Sequence, residues 1–285
     1  MSRAVLRWVV LSALGGVMAG CAVSEPPAVS STASTSAATK APSPDRRQSG
    51  FALMSARLQA MQTDDLQNPG MLWVADGQAL WDSAAPASPA DATGRPSRSC
   101  ASCHGAATQS MRGVAVRYPD VDATSQRVIT LAQRIDTCRT RHQQREPFPP
   151  ESKERLSLEA YVANASRGLP IAPSSAPAVV QARGRGEALF ERRIGQLNLS
   201  CAQCHEQNAG RRLAGSPIPQ AHPTGYPIYR LEWQGMGSLQ RRLRTCLTGV
   251  RAELYPFNAP ELVDLEAYLA ARAAGLRLET PAVRP

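Results

Sequence analysis

Cys201-Ala202-Gln203-Cys204-His205 is a C-x-x-C-H pentapeptide, the spacing at which two cysteines add to the vinyl groups of a haem and the next histidine ligates its iron. One axial position is then fixed, and the other is left to a residue elsewhere. The same pentapeptide stands upstream as Cys100-Ala101-Ser102-Cys103-His104, and one further cysteine follows each copy, Cys138 after the first and Cys246 after the second. A thiolate is a strong donor to haem iron. His104 with Cys138 and His205 with Cys246 are therefore the expected axial pairs, and Cys100, Cys103, Cys201 and Cys204 the expected attachment points. The chain reads as all-α, two tandem cytochrome c-like domains arising from an internal duplication, with two covalently bound haem c groups.

Other landmarks repeat in the same order. Gly186-Glu187-Ala188-Leu189-Phe190 echoes Gly77-Gln78-Ala79-Leu80-Trp81, and Leu265-Glu266-Ala267-Tyr268-Leu269 answers Leu158-Glu159-Ala160-Tyr161-Val162. Repeats in a fixed order are the mark of duplicated units. At 285 residues the chain is longer than the usual domain of roughly 100–150 residues. The expected organisation is a leader at 1–21, a linker at 22–49, a first domain at 50–172 and a second, catalytic domain at 178–285. Aromatic residues make up only 5% of the chain, which suits small helical domains whose core is partly porphyrin.

Apolar periodicity predicts helices over 51–61, 71–81, 156–165 and 239–247, and Val128, Leu131, Ile135 and Cys138 share one helical side. Residues 83–98, rich in Pro and Ala, read as a loop leading to the first motif. Arg3 and Arg7 precede an apolar run at 8–18, too short for a membrane span and typical of an export signal. Met18-Ala19-Gly20-Cys21 approximates a lipoprotein cleavage box; ordinary cleavage after Ala22 is the alternative, so any membrane contact is expected only through a lipid on Cys21. Export to the periplasm fits the attachment of c-type haem and argues against a nucleic-acid partner, although the net charge is +9 and the pI about 9.6.

Competing donors lack the symmetry of the cysteines. His142 lies four residues past Cys138, but Val250 holds the matching place after Cys246; His222, Met111 and Met236 have no counterparts either. C-x-x-C alone also occurs in zinc sites and redox pairs, and two copies with histidine attached select haem. In an oxidising compartment Cys138 and Cys246 could pair with each other, but their equivalent places in two repeats argue for separate iron ligands. Arg241, Arg242, Arg244 and Arg251 surround Cys246. Arg242 is one helical turn before it, suited to grip an oxyanion, unless it pairs with a carboxylate such as Glu253.

S-C-A-Q-C-H-E-Q-N-A-G at 200–210, G-Y-P-I-Y-R-L-E-W-Q at 225–234, L-R-T-C-L-T-G-V-R-A-E at 243–253 and L-E-A-Y-L at 265–269 resemble SoxA, the dihaem cytochrome subunits of SoxAX complexes in bacterial thiosulfate oxidation. N-P-G-M-L-W-V at 68–74 and the Cys138 segment extend the likeness over residues 50–275. The resemblance implies an L-cysteine S-thiosulfotransferase, which couples thiosulfate oxidatively to a cysteine of a SoxYZ-like sulfur-carrier protein and passes two electrons to cytochrome c through a SoxX-like monohaem partner. It also implies that Cys246 is the active-site residue, carried as a persulfide, and that Arg242 binds substrate. The other readings are a dihaem electron carrier without group transfer, and a thiosulfate dehydrogenase forming tetrathionate.

Overall fold

A helix crossing recurs in the two halves, and glycine permits both. In the computed structural model, which describes residues 47–84 and 98–285, the chain runs through α1 (Ala56–Thr63), α2 (Gly70–Asp82), α3 (Cys100–His104), α4 (Ala107–Ser110), β1 (Asp120–Val121), β2 (Val128–Ile129), α5 (Leu131–His142) and α6 (Lys153–Asn164). The second half follows with α7 (Pro177–Glu191), a widened helical turn at Gln203–Gln207, β3 (Arg212–Leu213), β4 (Ser216–Pro217), β5 (Ile228–Arg230), β6 (Gly235–Gly237), α8 (Leu239–Gly249), α9 (Pro260–Arg272) and β7 (Ala282–Arg284). The leader with Cys21, most of the expected linker and most of the 83–98 loop lie outside the described residues.

α2 crosses α6, and α7 crosses α9. A Cβ on Gly77 would stand 2.1 Å from the Ser157 carbonyl oxygen, and one on Gly186 would stand 2.0 Å from that of Asp264. One turn on, Trp81 meets Tyr161 edge-on with ring centroids 5.9 Å apart, and Phe190 meets Tyr268 at 5.3 Å. These are the two echoed motifs of the sequence, brought together in each half.

Local capping sets the helix starts. Thr130 opens α5 with a reciprocal capping box to Gln133, Ser238 accepts from the Arg241 amide at the start of α8, and Pro177 and Pro260 occupy first turns where a missing N–H costs nothing. The single helix expected over 51–61 is divided: Gly50–Leu53 makes one 3-10 turn, and Ser55 then caps α1 by accepting from Leu58. The strands add to the expected helices, because runs of two or three residues carry no readable alternation.

Between Tyr118 and His142 the first half matches the second, Tyr226 to Val250, at a constant offset. Pairing of Asp120 with Ile129 and Val121 with Val128 reappears as Ile228 with Gly237 and Tyr229 with Met236. Both Tyr-Pro bonds, Tyr118-Pro119 and Tyr226-Pro227, are cis. β5 also pairs in parallel with β7, and the chain's two ends meet there: Val283 N–H donates to Gln62 Oε1 (3.1 Å) and the Asn68 amide to the Pro281 carbonyl (2.8 Å). The described residues accordingly form one compact unit.

Where the halves meet, the equivalent acids Glu159 and Glu266 line one cavity with Arg155 and Gln240. Glu266 accepts from Gln240 at 2.8 Å, whereas Oε2 of Glu159 is sealed from solvent without a hydrogen-bond partner. Arg155 is divided between Asp136 (3.4 Å) and Asn258 (3.1 Å). Burial pushes Glu159 up to about 8 and Glu266 to about 7; Arg155 opposes both shifts, and Glu266, Glu151 and Asp136 add to that of Glu159.

Gly77→Ala or Gly186→Ala, with Cβ forced against a backbone carbonyl, should each destabilise the protein by about 1–3 kcal/mol or more, read from urea denaturation. The buried acids make stability depend on pH. Folded-state pKa values above the ordinary 4.5 mean that the native protein holds more protons than the unfolded chain between pH 4.5 and about 8, so stability falls as pH rises through that window. Glu159→Gln removes much of that slope. Its Tm relative to the parent should rise from pH 5 to pH 8 by roughly 2–4 °C, the equivalent of about 1.4 kcal/mol.

Candidate haem clefts and the thiol site

Ser99 starts α3 by accepting from the Ser102 amide, which winds Cys100 to His104 into a helical turn at the mouth of an apolar cleft. Trp81 braces the turn: its indole N–H donates to the Gly105 carbonyl (2.9 Å), and its ring lies 5.7 Å from that of His104. Leu131, Ile135, Leu158 and Val162 line the cleft between this turn and α5, from which Cys138 enters. Burial, and after it the neighbouring Cys138, pushes the Cys100 thiol up; burial likewise raises Cys138. A bare thiol at Cys138 is therefore neutral, and an iron cation is what would favour its thiolate. His142 sits exposed at the rim.

The second motif is built alike. Ser200 Oγ accepts from the Gln203 amide while Gln203 Oε1 accepts from that of Ser200, at 3.2 and 2.9 Å. His205 Nδ1 lies 2.7 Å from the Pro219 carbonyl. A carbonyl can only accept, so Nδ1 carries the proton and Nε2 is left as the donor for iron. Leu239, Leu243 and Leu269 line a cleft shared by His205 and Cys246. Burial, then the charge of Cys246, pushes the thiol of Cys201 up to about 11.

Each cleft thus combines an attachment turn, a histidine and, from the opposite helix, a cysteine, on walls rich in aliphatic side chains. These residues fit a haem c: Cys100 and Cys103 with His104 and Cys138, and Cys201 and Cys204 with His205 and Cys246. The six described cysteines are all unpaired. Met236 is buried in a cluster with Val74, Leu156 and Ala160, outside the cleft lining. His222 borders the second cleft, but its Nδ1 is tied to the Gln48 carbonyl at 2.8 Å.

Of the four arginines around Cys246 in sequence, the fold brings only Arg242 into the cleft. Arg241 lies 4.0 Å over the Trp233 ring, Arg244 donates to the Tyr255 carbonyl, and Arg251 is exposed. No pairing with Glu253 occurs, and the Arg242 guanidinium has no hydrogen bond or ion pair among the described residues. Tyr226 and Arg230 also reach this cleft. Motif reading overlooks them, and the constant offset between the halves is the signal that could have found them.

A family model described as SoxA/TsdA, cytochrome c domain, matches residues 76–171 and 185–278. The L-cysteine S-thiosulfotransferase subunit SoxA of Pseudaminobacter salicylatoxidans is 35% identical over 241 residues, 84% of this chain and 82% of the relative. The protein of the same name from Rhodovulum sulfidophilum is 31% identical over 279 residues, 95% of this chain and 94% of its own. The crystal structure of SoxXA from P. pantotrophus matches with a TM-score of 0.77 at 29% identity, over 84% of this chain and 87% of that one.

The ligand sets are tested one cleft at a time. A pyridine haemochrome assay should return two haems per chain, and Cys138→Ala and Cys246→Ala should each change the absorption and EPR signature of one haem while sparing the other. A spectrum that ignores either substitution removes that cysteine from the ligand set.

Proposed function

Since the chain belongs to the SoxA/TsdA cytochrome c family, we propose that it is the haem c subunit of an L-cysteine S-thiosulfotransferase, carrying two haems and working in the periplasm. The observation that carries this reading is the second cleft, where Arg242 and Cys246 from adjacent turns of α8 face the same space as His205. The reaction joins the outer sulfur of thiosulfate to a cysteine of a SoxYZ-like carrier protein. A sulfur–sulfur bond forms, the carrier thiol releases one proton, and two electrons leave. Haem, when bound, supplies the one-electron steps that pass them on to a SoxX-like monohaem cytochrome c. A SoxXA assembly is the matched solved structure, which supports such a partner.

The chain's own residues do the binding and orienting. Thiosulfate is a strongly hydrated dianion, so a productive site must replace its water with fixed donors. Arg242 is four residues before Cys246 on a continuous helix, so both project from one side. Its planar guanidinium can hold two sulfonate oxygens while the outer sulfur meets Cys246. With Cys246 as a persulfide, its outer sulfur would bond the outer sulfur of thiosulfate as the two electrons leave, and the carrier thiolate would then take over the thiosulfate group and return the persulfide. Carriage in the membrane would come only from a lipid on Cys21, and among the described residues no helix is long and apolar enough to cross a membrane.

Arg242→Ala should lower turnover of thiosulfate with carrier thiol by about two to three powers of ten, the usual loss when one preorganised oxyanion donor is removed. Arg242→Lys should recover part of it, because charge returns without the bidentate fork. Equal rates in parent and Arg242→Ala would place the anion elsewhere. Full activity in Cys246→Ala would leave an electron-carrying cytochrome as the better reading.

A further inference from the structure

The constant offset of 108 residues between the halves puts Tyr226 where Tyr118 stands, Arg242 where Arg134 stands and Cys246 where Cys138 stands. Of the positions where the register brings a change of charge, two belong to the polar corner of the first half. Asp122 becomes Arg230, and Arg141 becomes Gly249.

In the first half the group is neutralised. Asp122 is buried and takes Arg134 at 2.7 Å and Arg141 at 2.8 Å, and Tyr118 Oη accepts from Arg134 Nε at 3.1 Å. The hydrogen bond from Arg141, with others from Ser125 and Arg134, holds the Asp122 carboxyl far below the usual range. Every charged nitrogen facing that carboxylate has its counter-ion already in place.

In the second half the same frame holds two guanidiniums and no carboxylate between them. The Arg230 side chain is only 15% exposed, and its ion pair is with Glu232, a half-exposed residue whose Oε1 lies 3.0 Å from Nε without hydrogen-bond alignment. Trp233 lies under it, 5.1 Å from ring centroid to guanidinium carbon. Burial, and then the charge of Arg242, lowers the pKa of Arg230. Tyr226 makes no hydrogen bond through its hydroxyl among the described residues, unlike Tyr118, and burial pushes it up to about 12. All three residues line the cleft that contains Cys246.

We propose that Arg230 is a second substrate-binding residue, which forms with Arg242 a paired-guanidinium seat for the sulfonate end of thiosulfate, next to Cys246. Arg242, without a partner among the described residues, and Arg230, whose counter-ion Glu232 is half-exposed and off the hydrogen-bond direction, stand at the place of a carboxylate and are complementary to a dianion, and the phenol of Tyr226 adds a neutral donor. This rests on the reaction proposed above. The carboxylates of a bound haem present the same oxyanion chemistry, so the test must tell the two sources apart.

The experiment uses the haem-loaded chain in complex with its cytochrome partner. Arg230→Gln removes the charge, and Arg230→Asp rebuilds the first-half pair against Arg242, which gives the fold a counter-ion and guards against a merely unfolded variant. Thiosulfate binding is read by calorimetry without carrier protein, turnover by KM, and the haems by absorption and midpoint potential. Arg230→Gln should weaken thiosulfate binding and raise KM by about 10- to 100-fold, the range for one charge-assisted hydrogen bond; Arg230→Asp should weaken both further, with haem content and potentials as in the parent. Unchanged thiosulfate binding in both variants overturns the proposal. So does a shifted haem potential with unchanged binding, which would assign Arg230 to the haem carboxylates. Because calorimetry needs no turnover, it judges Arg230 even if Cys246→Ala proves fully active and the thiosulfotransferase reading fails.

Discussion

Backbone-to-backbone contact at Gly77 and Gly186 is the constraint on which the rest of the protein depends. Each glycine lets one helix rest on the carbonyl of the next, at Ser157 and Asp264. That approach draws Trp81 and Phe190 onto Tyr161 and Tyr268 and fixes the direction in which each attachment turn leaves the crossing. A side chain at either glycine would separate the helices and shift the histidine relative to the cysteine on α5 or α8. Iron ligation tolerates little such movement, because ligand atoms must meet one metal from opposite walls. The fold therefore uses glycine for proximity, with aromatic rings packed one turn away where space allows.

Duplication gave both halves the same frame, and electrostatics separated their roles. Within the frame the strand register, the N-caps Thr130 and Ser238 and the cysteines correspond position by position. The first half closes its polar corner with Asp122 between Arg134 and Arg141, an arrangement in which one buried carboxylate holds both guanidiniums. Such a corner stabilises structure and has nothing left to offer a ligand. Its counterpart keeps Arg242 without a partner, and the fold accepts this because the residue opens onto a cleft. A part-buried cation without compensation adds little to a purely structural role, which agrees with the substrate role proposed for it. The same duplication brings Glu159 and Glu266 to one cavity at the seam between the halves, where burial holds both carboxyls above their usual range.

Much of this was legible in the sequence, for physical reasons that differ from element to element. The two C-x-x-C-H turns follow from their spacing, and the cysteine that shares a cleft with each histidine follows from repetition of a rare residue type. α8 was readable because eleven residues carry a clear apolar period, whereas α2 buries Gly70, Val74, Gly77 and Trp81 and leaves the apolar Leu72 exposed. β1 to β7 were not readable, since two or three residues carry no alternation, and the β5–β7 pair joins residues distant in the chain. Gln62, a polar residue on a short helix, gave no sign of accepting from Val283. Arg242 could be singled out by its distance from Cys246, while Arg230 lies sixteen residues from that cysteine and joins it only through the pairing of β5 with β6. Arg241, Arg244 and Arg251 look equivalent to Arg242 in sequence, but helix direction sends their guanidiniums elsewhere.

Chemistry at one iron site and not the other thus need not come from the ligands, which are the same in both. A thiolate opposite histidine is common to Cys138 and Cys246 in the proposed ligand sets. What differs is the ground around the sulfur. In the cleft of Cys138 the guanidinium of Arg134 is already held by the buried Asp122, which also takes Arg141, so it is not free for an anion. Next to Cys246 the equivalent ground carries Arg230 and Arg242, both in the cleft lining and neither neutralised by a buried acid. Asp122 gives way to Arg230 while Arg141 gives way to Gly249, so what changes most is the pairing: the first-half guanidiniums are held by a buried carboxylate and Arg242 is not, a difference that acts with less screening in a partly desolvated cleft than in water. Under the function proposed above, two clefts built on one plan are kept apart in this way, one with its cleft guanidinium tied to a buried carboxylate and the other with guanidiniums left for an anionic sulfur compound.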